Sequence, residues 1–157
     1  MSARRFCLDS NVLVHAVDFR EPAKQMAAEH LVKTAALRDC MIGLQSIGEF
    51  YTASTRKKKG VKSILPPADA AREALNLLTI FPTFPATASA HRIASREAAA
   101  GRFSYWDAVL LASAAEAGCT LFLSEDMADG AKLGGITVRN PFGAKGLSAA
   151  ATTALAP

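Results

Sequence analysis

With 157 residues, half of them apolar and 20% charged, the chain is the size of one domain and can bury a sizeable core, which excludes wholesale disorder. No run approaches the ~18 apolar residues of a membrane span. The N-terminal MSARRFCLDSN carries two arginines but no long apolar stretch of a signal peptide, so a soluble cytoplasmic domain is expected, with no membrane segment. The net charge of +4 is too modest to imply a nucleic-acid partner by itself.

The first stretch, Arg5 to Asp18 (RFCLDSNVLVHAVD), organises the rest. The apolar run Phe6-Cys7-Leu8 stops at Asp9, and Ser10-Asn11 then open a second apolar run. This pattern predicts a buried strand presenting Asp9 at its C-terminal edge, followed by a short helix from Asn11 to about Val17. In open α/β sheets, ligands bind at that edge. Pro22 suits the first turn of the next helix, whose apolar stripe runs from Ala23 to about Arg38. Cys40 to Leu44 reads as a second strand. Gln45 opens a helix extending to about Lys58, and Gly60 ends it.

Pro66-Pro67 mark another helix start, reaching Leu78. Ile80 to Phe84 is a weak strand, and its proline suggests an edge or a strand start. Helices follow over Thr87–Ala99 and from Ser104 to Gly118. Thr120–Leu123 is a compact buried strand ending at Ser124-Glu125-Asp126, and Ile136–Val138 is the last strand. Strands alternating with helices predict an α/β domain over residues 1–142, with a central parallel sheet of about five strands flanked by helices. Residues 143–157 are small and offer few large apolar groups, so a disordered tail is expected there.

Cys7, Cys40 and Cys119 are widely spaced, never in CxxC, and each adjoins an apolar run; they read as buried thiols. His15, His30 and His91 are equally scattered, so no soft-metal cluster exists in the sequence. Arg56-Lys57-Lys58-Lys59 and Lys62 form a basic run. It is either a solvated face or a contact for a phosphate backbone.

Four acids stand at element junctions: Asp9, Glu49, Asp107 and Asp126. In a parallel sheet, strand ends and the starts of the following helices share one edge, so all four could gather there. Two have a bland alternative, because Ser46-x-x-Glu49 and Ser104-x-x-Asp107 both have capping-box spacing. Asp126 could be a turn residue. Asp9 is hardest to dismiss, since a buried carboxylate needs a partner. Clustered carboxylates raise one another's pKa unless a cation sits among them. Oxygen ligands without His or Cys point to Mg²⁺ or Mn²⁺ rather than zinc. The chemistry natural to such an ion is phosphodiester hydrolysis.

These residues resemble a known family, the PIN-domain ribonucleases, and most closely the VapC toxins of bacterial type II toxin–antitoxin pairs. Leu8-Asp9-Ser10-Asn11-Val12-Leu13 stands where the first motif would. Ser46-Ile47-Gly48-Glu49-Phe50 matches the second, Tyr105-Trp106-Asp107-Ala108 through Gly118-Cys119 the third, and Ser124-Glu125-Asp126-Met127 the fourth. Many members have a basic residue where Glu125 stands; the register favours Asp126 as the metal-facing acid. The resemblance implies that Asp9, Glu49, Asp107 and Asp126 carry one or two Mg²⁺ or Mn²⁺ ions, with Asn11 orienting Asp9 and Ser124 bonding near the water or metal. Water would attack RNA in line, leaving a 3′-hydroxyl and a 5′-phosphate, with Arg56 to Lys59 and Lys62 as possible backbone contacts. It further implies a homodimer and a small VapB-type antitoxin partner, docked along the helix over 23–37 and Glu49 to Tyr51. Tyr105 and Trp106 either stack on a base or pack against the core.

Three rivals remain. A PIN nuclease of RNA processing shares the same site. A haloacid-dehalogenase-type phosphatase needs a second Asp where Asn11 stands. A catalytically silent binding module predicts missing acids, and none is missing.

Overall fold

Phe6, Cys7 and Leu8 are all buried, so the strand they form is covered on both faces, as central parallel strands are. The computed structural model describes residues 4–157; residues 1–3, with which the expected domain begins, lie outside them. The elements begin with β1 (Phe6–Leu8), α1 (Ser10–His15), α2 (Pro22–Ala35), β2 (Cys40–Gly43) and α3 (Leu44–Thr55). Next come α4 (Pro67–Ile80), β3 (Thr83–Phe84), α5 (Ala88–Ala99), α6 (Tyr105–Glu116) and β4 (Leu121–Leu123). The chain closes with β5 (Lys132–Leu133), β6 (Ile136–Arg139), β7 (Phe142–Gly143), β8 (Gly146–Leu147) and α7 (Ala149–Leu155).

The main sheet has the order β3-β2-β1-β4-β6-β5. Neighbours pair in parallel, except that β5 runs antiparallel to β6. This is the expected parallel sheet of about five strands, with β5 added at one edge. Two-residue strands carry too little alternation to be read from sequence, which is why β5 was not expected.

Period-two alternation sorts the strand residues onto two cores. Phe6, Leu8, Cys40, Ile42, Leu121 and Leu123 face one layer, completed by Leu13, Leu31, Phe50, Leu77 and Leu155. Cys7, Phe122, Ile136 and Val138 face the other, completed by the wholly apolar middle of α6 and by Ala90 and Ala94 of α5. The result is a three-layer helix–sheet–helix sandwich. All three cysteines are free and buried, as their apolar surroundings predict.

Several expectations need correction. The tail is ordered: β7 and β8 form a hairpin, and Ser148 caps α7 by accepting from the Ala151 N–H. Ala151 and Leu155 enter the first core, and Arg38 Nε donates to Leu155 O at 2.8 Å. Small residues suffice because the helix lies close against other elements, where alanine fits and a large side chain would not. α3 ends at Thr55, so Arg56 to Lys59 occupy the turn beyond it, where Lys58 and Val61 form a bridge. Ile80 belongs to α4, leaving only Thr83–Phe84 as strand.

Candidate active site

The chain leaves β1 in one direction along the sheet towards β2 and later returns to its other side with β4, so a topological switch point falls between β1 and β4. Crevices outside the carboxyl ends of strands at such points are where open α/β sheets bind ligands. Asp9 follows β1, and Ser124-Glu125-Asp126 follow β4. Asp9 N donates to Leu123 O at 3.0 Å, fixing the two strand ends against each other.

Asp9 is buried and accepts hydrogen bonds from three residues. The Ser10 backbone N–H reaches Oδ1 at 2.7 Å, which makes Asp9 the N-cap of α1. Ser124 Oγ donates to Oδ2 at 2.7 Å and Asn11 Nδ2 to the same oxygen at 3.0 Å. Ser124 is itself buried and accepts from the N–H groups of Asp126 and Met127, while Asn11 Oδ1 accepts from Glu125 N–H. Burial pushes the Asp9 carboxyl up to about 6, against the hydrogen bonds from Ser124 and Ser10, and the charges of Glu49 and Asp126 add to the rise. Both of those acids therefore lie within electrostatic reach of Asp9.

Glu49 stands in the second turn of α3, which starts at Leu44 directly after β2 with Gly43 as its N-cap. The Ser46-x-x-Glu49 capping box is not formed, because Ser46 lies inside the helix and its buried hydroxyl has no hydrogen-bond partner among the described residues. Glu49 is held instead by Ser10 Oγ at 2.9 Å on Oε2 and by Gln45 Nε2 at 2.9 Å on Oε1. Ser10 thus joins the loop after β1 to the helix after β2. Neither Ser10 nor Gln45 stands out in sequence as a site residue, although Gln45 and Glu49 have the i, i+4 spacing of a helical pair.

Ser104 does cap α6, accepting from Asp107 N–H at 3.3 Å. The reciprocal bond from the Asp107 carboxylate is not made, and neither Asp107 nor Asp126 has a carboxylate hydrogen bond among the described residues. α6 leads into β4 through Gly118, whose φ of +88° lets the chain leave the helix in a Schellman turn: Cys119 N donates to Ala114 O and Gly118 N to Ala115 O. A helix that precedes a parallel strand runs back along the sheet, so Asp107 at its start lies at the edge where Asp9 stands. Glu125 is engaged elsewhere, with Lys24 Nζ at 2.7 Å from Oε1 and His15 Nε2 at 3.6 Å.

Beside Glu49 opens a cavity of about 430 Å³, lined by Ser10, Gln45, Glu49, Thr52 and Arg56. Next along the chain, Lys57, Lys58 and Lys62 line a second, open one of about 530 Å³. Arg56 to Lys59 and Lys62 are all exposed.

No three of the described His, Cys, Asp and Glu side chains are grouped closely enough to hold a metal ion as they stand. The donor chemistry nonetheless fits a hard divalent cation. It is oxygen-only, it brings mutually repelling carboxylates together, and it includes Gln45 Oε1, buried beside Glu49 with no partner among the described residues. Asp9 and Glu49 are linked through the Ser10 hydroxyl. Asp126 is near, and Asp107 shares the edge without contact.

A mostly parallel sheet, an Asp at its switch point and a second acid on the helix after the neighbouring strand define a class of domain, and a family model bears it out. The PIN domain model matches residues 6–128, and the chain belongs to the PIN-domain family. Among solved structures it is similar to a Mycobacterium tuberculosis VapC toxin that cleaves the sarcin–ricin loop: 17% identity and TM-score 0.60, with 77% of this chain and 89% of that one covered. A toxin–antitoxin complex from Klebsiella pneumoniae is similar at 16% identity and TM-score 0.61, covering 87% of this chain and 97% of that one. A DNA-bound VapBC from Salmonella typhimurium is similar at 13% identity and TM-score 0.60, covering 87% and 98%. No curated protein matches the chain in sequence.

Proposed function

We propose that this PIN domain is a metal-dependent endoribonuclease and the toxin of a VapBC-type pair. The observation that carries the reading is Asp9, a buried carboxylate clamped by three residues at the switch point, with Glu49 joined to it through Ser10. A desolvated acid with no cationic partner, beside other acids, costs folding energy, and a phosphate-handling cation is what that arrangement suits. Asp9 and Glu49 would hold Mg²⁺ or Mn²⁺, with Asp107 and Asp126 as further oxygen donors for one ion or two. When bound, such an ion offsets phosphate charge and makes a bound water more acidic.

The chain's own residues supply the rest. Asn11 and Ser124 keep the Asp9 carboxylate from rotating, and Gln45 and Ser10 do the same for Glu49. Arg56, in the cavity beside Glu49, and the exposed Lys57 to Lys59 and Lys62 beyond it offset the charge of flanking phosphates. Water attack at phosphorus with cleavage of the P–O3′ bond leaves a 3′-hydroxyl and a 5′-phosphate.

Two features support the antitoxin pairing. Several solved structures of like fold are toxin–antitoxin complexes. An apolar furrow, lined by Val17, Val32, Leu77, Ile80 and Phe81, also runs between α2 and α4. A helical antitoxin segment would lie there. A homodimer and a cytoplasmic setting belong to the same reading.

The test is cleavage of a labelled RNA pool by the purified chain with Mg²⁺ or Mn²⁺, with chelator, and with the Asp9→Asn variant. Metal-dependent cutting that vanishes in the variant is expected. Cutting that survives chelator or the substitution would refute the site. No RNA cut under any condition, with metal still bound, would turn the reading towards a silent binding module.

A further inference from the structure

Trp106, the only tryptophan of the chain, is 59% exposed at the start of α6, immediately before Asp107. A large apolar ring left in water is usually mobile or hidden by a partner, but this one is fixed without being buried. Its ring meets Tyr105 edge-to-face at 5.5 Å and 84° between planes, and His91 at 5.9 Å and 84°. Tyr105 and His91 are in turn tied by a 2.7 Å hydrogen bond between Tyr105 Oη and His91 Nδ1. Perpendicular contacts of this kind hold an aromatic orientation while leaving ring surface free.

The neighbouring helix α5 also carries cations. Arg92 follows His91, Arg96 lies one helical turn further along α5, and both are exposed. Neither makes an ion pair among the described residues, whereas the nearby Arg102 is committed to Glu97. An exposed indole held by its neighbours, next in sequence to a candidate site acid and packed on a helix that carries the exposed Arg92 and Arg96, matches a single-stranded nucleic acid, whose bases stack on aromatic faces while its phosphates take cations. A second copy of the chain fits less well. Its own Arg92 and Arg96 would be brought against the same arginines across a two-fold axis, at a like-charge cost. The exposed aliphatic side chains Leu75, Leu78 and Ile80 lie instead on α4, on the other side of the sheet.

We propose that Trp106, braced by Tyr105 and His91, is a positioning residue on which an RNA base next to the scissile phosphate stacks, with Arg92 and Arg96 taking the adjoining phosphates. The inference rests on the nuclease reading above and adds to it the place where the substrate strand is seated.

The single tryptophan makes the test direct. The full-length chain is titrated with a short single-stranded RNA pool in chelator, following Trp fluorescence and, in parallel, anisotropy of end-labelled RNA. An abasic strand of the same length and charge serves as control. Stacking predicts saturable quenching by RNA and none by the abasic strand. Trp106→Ala, with an unchanged melting temperature, should weaken RNA binding about ten-fold or more, and Trp106→Phe should recover part of it. Cleavage under Mn²⁺ should then show a raised KM with kcat little altered. RNA that binds and is cut without quenching, or a Trp106→Ala variant of native KM, overturns the stacking role while leaving the nuclease intact. A change of oligomeric state in Trp106→Ala assigns the ring to self-association instead. A native chain that neither binds nor cuts RNA removes the nuclease reading together with this one.

Discussion

At the residue scale, Asp9 links function to stability. An Asp in the unfolded chain titrates near 3.8, whereas the buried Asp9 titrates at about 6. The folded state therefore binds the proton more tightly, and stability falls as pH rises from about 4 to about 6, then levels off. The full loss is on the order of 3 kcal/mol. Calorimetry of the metal-free chain should show a lower melting temperature at pH 7.5 than at pH 5, with a much flatter profile for Asp9→Asn. Saturating Mn²⁺ should raise the melting temperature more at pH 7.5 than at pH 5, because only the ionised site binds it. An equal effect at both values would count against Asp9 as a ligand. Ser124→Ala removes one of the two donors to Asp9 Oδ2 and frees the N–H groups of Asp126 and Met127. We expect a loss of ~1–3 kcal/mol at neutral pH and a further upward move of the Asp9 titration, readable by carboxyl carbon NMR.

At the scale of elements, one junction sets where Glu49 stands and the last helix sets how far the fold extends. Gly43 both ends β2 and caps α3, and a Cβ there would come within 2.9 Å of Leu110 Cδ1 and 3.1 Å of Phe84 Cε2. Gly43→Ala must displace the buried Leu110 and Phe84 side chains or shift the start of α3, at a cost of ~1–3 kcal/mol. Because Glu49 rides on α3, nuclease activity should fall by more than the stability loss explains. α7 bears on the fold rather than on the acids: Leu155 is buried in the same core as Phe6, Leu31 and Ala35. Leu155→Ala is expected to lower stability by ~2–4 kcal/mol in denaturant melts with little effect on cleavage by the folded fraction. A value near zero would mean that α7 is not part of the cooperative fold.

At the scale of the whole molecule, the sheet separates two cores, and the three thiols report on whether they open together. Burial pushes the Cys7 and Cys40 thiols well up, and Cys119 to about 11, so native thiolate is scarce. Labelling by a thiol-specific disulfide reagent should be slow for all three, with the same dependence on denaturant as global unfolding. Fast labelling of Cys119 alone would reveal local opening where α6 turns into β4. The same division places the apolar furrow beside α2 and α4 on one side of the sheet and the aromatic, cationic surface of α5 and α6 on the other.

What the sequence determined by itself was the frame: apolar runs ending in acids, helices between them, and hence a parallel sheet with Asp9, Glu49, Asp107 and Asp126 at strand ends and helix starts. Hydrophobic periodicity is local and survives in one dimension. Tertiary structure decided the rest. Whether Ser46 or Gly43 caps α3, whether Glu125 turns to Lys24 or to the site, and whether Ser10 bridges two acids all depend on atoms brought together from distant parts of the chain. So does α7, whose small residues carry little hydrophobic signal until Phe6 and Leu31 supply the surface they cover. A carboxylate's identity is written in the sequence; its burial and partners, which set what it can bind, belong to the fold.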